Sequence, residues 1–89
     1  MSQLEKLVAK FLREPAEISF DEVVTLLEAF GYRQRSVGGS HFTFVKPGAR
    51  PITVPTEKGR RVKRVYVQRI NELLDLEEWY EQRTSREKT

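Results

Sequence analysis

The chain lacks cysteine altogether and has a single histidine among its 89 residues. Without cysteine it can form neither a disulfide framework nor a cysteine-based zinc site, and one histidine gives little support for a transition-metal centre. No Walker or dinucleotide-binding glycine pattern is present, so nothing indicates a nucleotide cofactor. No apolar run approaches the roughly 18 residues of a membrane span, and the N-terminus lacks the apolar core of a signal peptide. We therefore expect a soluble cytoplasmic protein without a metal, cofactor or membrane partner.

The distribution of charge is more informative than the net charge, which is only +3. Residues 33–69 carry ten cationic side chains and one acidic one, a balance of +9, whereas the segments on either side each balance at −3. A concentrated basic block of this kind is the footprint that a polyanion such as nucleic acid requires. The alternative is a solvated surface that only keeps the protein in solution.

Apolar spacing predicts a helix over residues 2–13, a second over 20–30 and a last one from about 63 to at least 74. Pro15 should end the first helix, and Gly31 can adopt the left-handed conformation that often follows a helix. Leu76, Trp79 and Tyr80 continue the last pattern, and the polar tail from Thr84 is expected to fray. Two serine–glutamate pairs have the spacing of a capping box, namely Ser2 with Glu5 and Ser19 with Glu22.

Three short extended segments lie between the second and last helices, at residues 32–37, 41–46 and 52–54, and turn residues separate them. They predict an antiparallel three-stranded sheet, with the third strand at an edge because prolines flank it. The order is then α-β-β-β-α with an extra N-terminal helix, an α+β fold with the helices on one face of the sheet. Double-stranded-RNA-binding domains share this order, which by itself does not determine function.

His41 follows a Gly38-Gly39-Ser40 turn and opens the second strand. Histidine exchanges protons near neutral pH, so it could remove the proton from an RNA 2′-hydroxyl and let that oxygen attack the adjacent phosphorus. Cations of the following basic loop could contact phosphate, and they are Lys58, Arg60, Arg61, Lys63 and Arg64. A lone strand histidine is more often structural, however, and the glycine turn is equally explained as a hairpin connection.

Several stretches, taken together with their order and spacing, resemble the HicA family of toxin mRNA interferases. They are Leu27-Glu28-Ala29-Phe30-Gly31-Tyr32, Arg33-Gln34-Arg35, Gly39-Ser40-His41-Phe42-Thr43-Phe44 and Pro51-Ile52-Thr53-Val54-Pro55, followed by a basic loop that leads into the last helix. The resemblance covers residues 20–74. It divides the chain into an N-terminal helical extension at 1–17, a HicA-like domain at 18–76 and a helical extension with a frayed tail at 77–89.

The resemblance implies a fold like that of double-stranded-RNA-binding domains and an endoribonuclease that cuts mRNA, with an antitoxin of the HicB type covering the active site. The family's catalytic histidine follows Gly-Ser, which corresponds here to His41 after Gly39 and Ser40. We accordingly expect His41 to be catalytic and Gly39, Ser40 and the basic loop to contact RNA. Many members have a second histidine where this chain has Phe42, so no separate histidine is present as the acid.

Two other functions are consistent with the residues. The protein could bind RNA without cutting it, in which case His41 is only a contact. It could instead be an interaction domain whose acidic, aromatic tail, with Trp79 and Tyr80, docks a protein partner.

Overall fold

In the computed structural model, which describes residues 2–35 and 41–87, the chain forms an α+β fold. These described residues contain four helices and two antiparallel sheets, one of three strands in the order β2-β3-β4 and one of two strands, β1 and β5. This confirms the predicted α+β fold class with its three-stranded antiparallel sheet between α2 and α3, to which the structure adds β1, β5 and a separate α4. The elements are α1 (Gln3–Leu12), β1 (Glu17–Ser19), α2 (Phe20–Ala29), β2 (Arg33–Arg35), β3 (His41–Val45), β4 (Ile52–Pro55), β5 (Arg61–Lys63), α3 (Arg64–Leu73) and α4 (Leu76–Glu87).

Both predicted capping boxes are present. The hydroxyl of Ser2 accepts a hydrogen bond from the Glu5 N–H at 3.0 Å, and the Glu5 carboxylate accepts one from the Ser2 N–H at 2.8 Å. Ser19 and Glu22 form the same reciprocal pair at the start of α2. Each box satisfies backbone donors that a helix start leaves without partners, which explains why these helices begin at the predicted residues.

Helix ends also follow local backbone chemistry. The residue before Pro15, Glu14, has a φ of +52°, so the chain leaves α1 through the left-handed region. Gly31 has a φ of +94° after α2, as predicted for a residue without a side chain. A β-carbon at Gly31 would also lie 3.3 Å from Cε of Lys46, so a larger residue would be both strained and crowded.

The pairing of β1 with β5 was absent from the sequence prediction. Ile18 pairs with Val62, and both side chains are buried, at 1% and 0% exposure. Each strand has three residues, too few to show an alternating pattern, and the partners are far apart in sequence. This ribbon positions Arg61 and Lys63 beside the N-terminal half of the chain, where the sequence had indicated only a loop and a helix start.

The C-terminal helical region is divided in two, so the prediction of one continuous helix is wrong. Asp75 has a φ of +51°, which ends α3 and turns the chain before α4. The turn buries Leu76 completely while Leu73 is left 55% exposed, although the apolar pattern had placed Leu73 on the packed face. Helix α4 then continues through Glu87, and the Thr84 hydroxyl donates to the Tyr80 carbonyl at 2.9 Å, whereas fraying was expected from Thr84.

Helix α1 packs into the same hydrophobic core as the sheet and the other helices. Val8 and Phe11 have no solvent exposure, and the Asn71 side chain of α3 donates a hydrogen bond to the Phe11 carbonyl at 2.8 Å. The core thus extends from α1 to the inner face of the three-stranded sheet. Among residues 2–35 and 41–87, none of the helices has the length and hydrophobicity of a transmembrane segment.

Replacing Phe11 with alanine should lower the free energy of unfolding by about 3–5 kcal/mol, because it leaves a cavity beneath α1. Val65→Ala is the matched control, since Val65 is 55% exposed and should cost well under about 1 kcal/mol. Urea denaturation followed by circular dichroism measures both. Equal stability losses in the two variants would show that α1 is not part of the core.

Ionisation of Glu22 should make the free energy of unfolding depend on pH in the acid range. Burial opposes ionisation of Glu22, but hydrogen bonds from Lys10 and Ser19 and the Lys10 charge outweigh it, so the pKa is lowered below its usual 4.5. The Lys10 Nζ lies 2.6 Å from the Glu22 carboxylate. A lowered pKa stabilises the fold above pH 4.5, and this contribution is lost as the pH falls through the folded-state pKa.

The variant Glu22→Gln retains a side chain that can complete the capping box but cannot titrate. Its unfolding free energy should therefore change less between pH 6 and pH 3 than that of the wild type. A parallel decline in both proteins would contradict a role for the Glu22 carboxylate.

Candidate functional site

The three-stranded sheet has one covered face and one open face. In the antiparallel register, Phe42 pairs with Val54 and Phe44 with Ile52, and these side chains point toward the helices. Alternation sends the intervening residues to the other side. Seven side chains of the described strands form the open face, namely Arg33, Arg35, His41, Thr43, Val45, Thr53 and Pro55.

His41 is the first residue of β3 and its side chain is exposed. Its backbone pairs with Pro55 of β4, and its neighbour Phe42 packs beneath it against Phe20, with ring centroids 4.5 Å apart. The backbone at His41 is thus paired with β4 and its neighbour is packed into the core, while the imidazole is exposed. Gly39 and Ser40, the predicted RNA contacts before it, lie outside the described residues.

Next to His41 on the open face, two threonine hydroxyls meet across the strands. Thr43 pairs with Thr53, and the two Oγ1 atoms lie 3.3 Å apart. A hydroxyl both donates and accepts hydrogen bonds, so this pair can exchange its mutual contact for one with a ligand. A groove of about 500 Å³ between β4 and α3 is lined by residues that include Arg50 and Leu73, and His41 is not among them.

The basic loop is a tight hairpin that starts just after β4. Glu57 and Arg61 exchange backbone hydrogen bonds around the tip Lys58-Gly59-Arg60, where Gly59 and Arg60 have φ values of +79° and +55°. The Phe20 N–H donates to the Arg60 carbonyl at 2.9 Å, and the Arg60 guanidinium lies over the Phe20 ring, 4.9 Å from its centroid. Because Phe20 also stacks on Phe42, the hairpin is anchored beside the strand that carries His41.

Acidic residues contact four of the five cations predicted to bind phosphate, and three of these acidic residues come from the N-terminal flank. Arg60 lies 3.9 Å from Asp21, Arg61 lies 3.5 Å from Glu17, and Lys63 lies 2.7 Å from Glu57, while Nε of Arg64 donates to the Glu14 carbonyl at 2.8 Å. The hydrogen bond from Lys63 to Glu57, with the Glu57 charge, raises the pKa of Lys63. For Lys58, at the hairpin tip, there is no ion pair with any carboxylate in the described part of the chain.

The structure adds Arg33 and Arg35 to the residues that share a face with His41. Both are exposed on β2, and neither forms an ion pair within residues 2–35 and 41–87. The sequence showed that these two arginines share one side of a strand. It did not show how that side relates to the side carrying His41, because that relation depends on how β2 and β3 pair.

Comparison with known proteins identifies a family for most of this chain. A protein-family model described as the HicA toxin of bacterial toxin–antitoxin systems matches residues 20–77, which include β2, β3, β4 and the basic hairpin. No curated protein and no solved structure gives a significant match. Helix α1 lies outside the matched segment, although it shares the core.

Phe42 should be needed to hold the strand that presents His41. We expect Phe42→Leu to lower the unfolding free energy by about 0.5–1.5 kcal/mol through loss of the aromatic contact with Phe20. Thr43→Val, on the opposite face of the same strand, is the control and should leave packing against Phe20 unchanged. If Phe42→Leu unfolds at the same denaturant concentration as the wild type, the Phe20–Phe42 contact does not support β3.

Proposed function

The chain belongs to the HicA toxin family, and we propose that it is an endoribonuclease that cleaves mRNA with His41 as the general base. Family membership implies a toxin of a toxin–antitoxin system that acts as an mRNA interferase. The observation that carries the proposal for this site is the exposed imidazole on an open sheet face beside a cationic hairpin. An open face admits an extended polymer more readily than it encloses a small molecule.

In the proposed reaction, His41 accepts the proton of a ribose 2′-hydroxyl. The 2′-oxygen forms a bond to the adjacent phosphorus, and the bond from phosphorus to the 5′-oxygen breaks. The products are a 2′,3′-cyclic phosphate and a 5′-hydroxyl. General-base assistance of this kind contributes about 10²–10⁴-fold in rate. The step as proposed assigns no role to a metal or cofactor.

The leaving 5′-oxygen requires a proton, and the family's usual second histidine is replaced by Phe42. Since Phe42 faces the helices and packs on Phe20, it leaves no titratable group at that position. The proton then comes from water, from the imidazolium of His41 itself, or from a cation such as Lys58.

We retain the hairpin and its flanks as part of the proposed RNA-binding surface, together with Gly39 and Ser40. Lys58 at the tip is available for a phosphate contact, and Arg60 is the hairpin cation linked through Phe20 to the His41 strand. The pairs that Arg61 and Lys63 form with carboxylates are exposed, and exposed ion pairs contribute little to stability because solvent and salt screen them. A phosphate can therefore replace a carboxylate at these positions at small cost.

We also propose a cytoplasmic antitoxin partner of the HicB type that covers His41. Because it competes with phosphate for the same cations, its contact surface should carry acidic residues.

Cleavage should require both the imidazole and the 2′-hydroxyl. We expect His41→Ala and the similarly polar His41→Gln to cut labelled mRNA at least about 100-fold more slowly than the wild type. Expression of either variant should no longer arrest growth. An oligonucleotide with every 2′-hydroxyl methylated should bind but stay intact, and far-UV circular dichroism should show that the variants fold.

Several outcomes would contradict this mechanism. Full cleavage by both His41 variants would exclude the imidazole as base. Salt-sensitive RNA binding by the wild type without any cleavage would favour a non-catalytic RNA-binding module. No RNA affinity at all, combined with a protein complex that survives high salt, would favour an interaction domain.

A further inference from the structure

The open face of the sheet places one arginine next to His41. Arg35 pairs with Thr43, which is two residues after His41 on β3 and points to the same side. Arg35 and His41 are therefore diagonal neighbours across the strand pair. Diagonal neighbours have side chains that start about 7–8 Å apart, a separation that long side chains can span. The Arg35 guanidinium can thus reach a group that is already in contact with the imidazole.

Arg33 occupies the same face but lies further away. It pairs with Val45, which is four residues beyond His41 along the strand, or about 13 Å at the usual rise of an extended chain. Arg33 and Arg35 therefore form a row of two cations, of which only Arg35 borders His41. Substitutions of Arg33 and Arg35 can therefore be compared directly, because the two residues share a strand and a face but differ in distance from His41.

The electrostatic surroundings of these arginines differ from those of Arg60, Arg61 and Lys63. The open face in the described part of the sheet carries no carboxylate, and neither Arg33 nor Arg35 has an ion pair there. Arg60, Arg61 and Lys63 each face a carboxylate at 3.9 Å or less. A phosphate that approaches the sheet face therefore meets positive charge without having to displace an acidic side chain.

We propose that Arg35 binds the scissile phosphate beside His41 and stabilises the charge that builds on its non-bridging oxygens. This inference rests on the proposed nuclease function and assigns a catalytic contact to a residue of β2 rather than to the basic hairpin. A guanidinium presents paired N–H donors that match two phosphate oxygens, and such charge-assisted contacts are stronger than neutral ones. Arg33 contacts a neighbouring phosphate and contributes binding alone.

Side chains of the open face then have different roles in the reaction. His41 removes the 2′-hydroxyl proton and Arg35 holds the phosphate that this oxygen attacks. Thr43 pairs with Arg35, and its hydroxyl contacts that of Thr53 on β4. The hairpin cations contact phosphates further along the RNA.

Single-turnover cleavage of labelled mRNA, with enzyme in excess, tests the assignment. Arg35→Ala should slow cleavage at saturating enzyme by about 10²–10³-fold, as removal of one preorganised donor to a developing oxyanion does. Arg35→Lys should restore part of this rate because it keeps the charge but loses the planar fork. Arg33→Ala should raise the concentration for half-saturation while the saturated rate stays the same. Arg13→Ala removes the same charge from the end of α1 and should match the wild type.

Binding to a fully 2′-O-methylated RNA, which cannot be cut by this route, gives an independent measurement. Removing an arginine that contacts phosphate should make binding less dependent on salt. The slope of log binding constant against log salt concentration should become shallower by about 0.7 for each such arginine. Arg33→Ala and Arg35→Ala should both show this change, and Arg13→Ala should not. Thermal unfolding of each variant separates a lost contact from a lost fold.

The His41 variants test the nuclease mechanism, and the Arg35 variants test the assignment of the phosphate contact, so failure of one can be distinguished from failure of the other. If His41→Ala is inactive but folded Arg35→Ala and Arg35→Lys both cleave like Arg13→Ala, the Arg35 assignment is wrong and the nuclease function stands. Equal losses in Arg33→Ala and Arg35→Ala, confined to affinity, would likewise overturn a specific contact at the scissile phosphate. Cleavage by His41→Ala at the wild-type rate would overturn the mechanism on which the assignment rests.

Discussion

The packing of Phe20 against the inner face of β3 is the contact on which the rest of the site depends. Its ring lies 4.5 Å from that of Phe42 and 6.1 Å from that of Phe44, so the first residue of α2 holds both inward side chains of the strand. Because successive side chains of a strand point to opposite faces, His41 and Thr43 then point outward. The Phe20 N–H also holds the Arg60 carbonyl, so one residue joins the helix, the strand and the basic hairpin.

Electrostatics divide the central basic block into two parts with different surroundings. The hairpin and β5 fold back toward the acidic N-terminal third, where Glu17 and Asp21 approach Arg61 and Arg60. The β2 arginines lie on a face without carboxylates in the described part of the sheet. Some cations of the basic block thus form ion pairs with carboxylates of the protein, whereas the β2 arginines do not in the described residues. A count of charges along the sequence does not distinguish these two groups.

Helix α1 lies outside the segment that the family model matches, yet it supplies buried side chains to the common core. The amide of Asn71 in α3 bonds to the Phe11 carbonyl at the end of α1, where the left-handed Glu14 turns the chain. In a chain of 89 residues, where the buried fraction is small, two more fully buried apolar side chains add appreciably to stability. The helix belongs to the packed structure and leaves the open sheet face uncovered.

The amino-acid sequence by itself determined the features that depend on a few neighbouring residues: both capping boxes, the positive φ of Gly31, and the alternation that separates Phe42 from His41. The charge blocks and the family resemblance were equally visible there. Only the tertiary structure decided the β1–β5 ribbon, the break at Asp75 and which cations meet carboxylates. Those features depend on partners distant in sequence, such as Ile18 with Val62, whose encounter is set by burial of the whole core. The placement of Arg35 beside His41 belongs to this second group, because it follows from strand register.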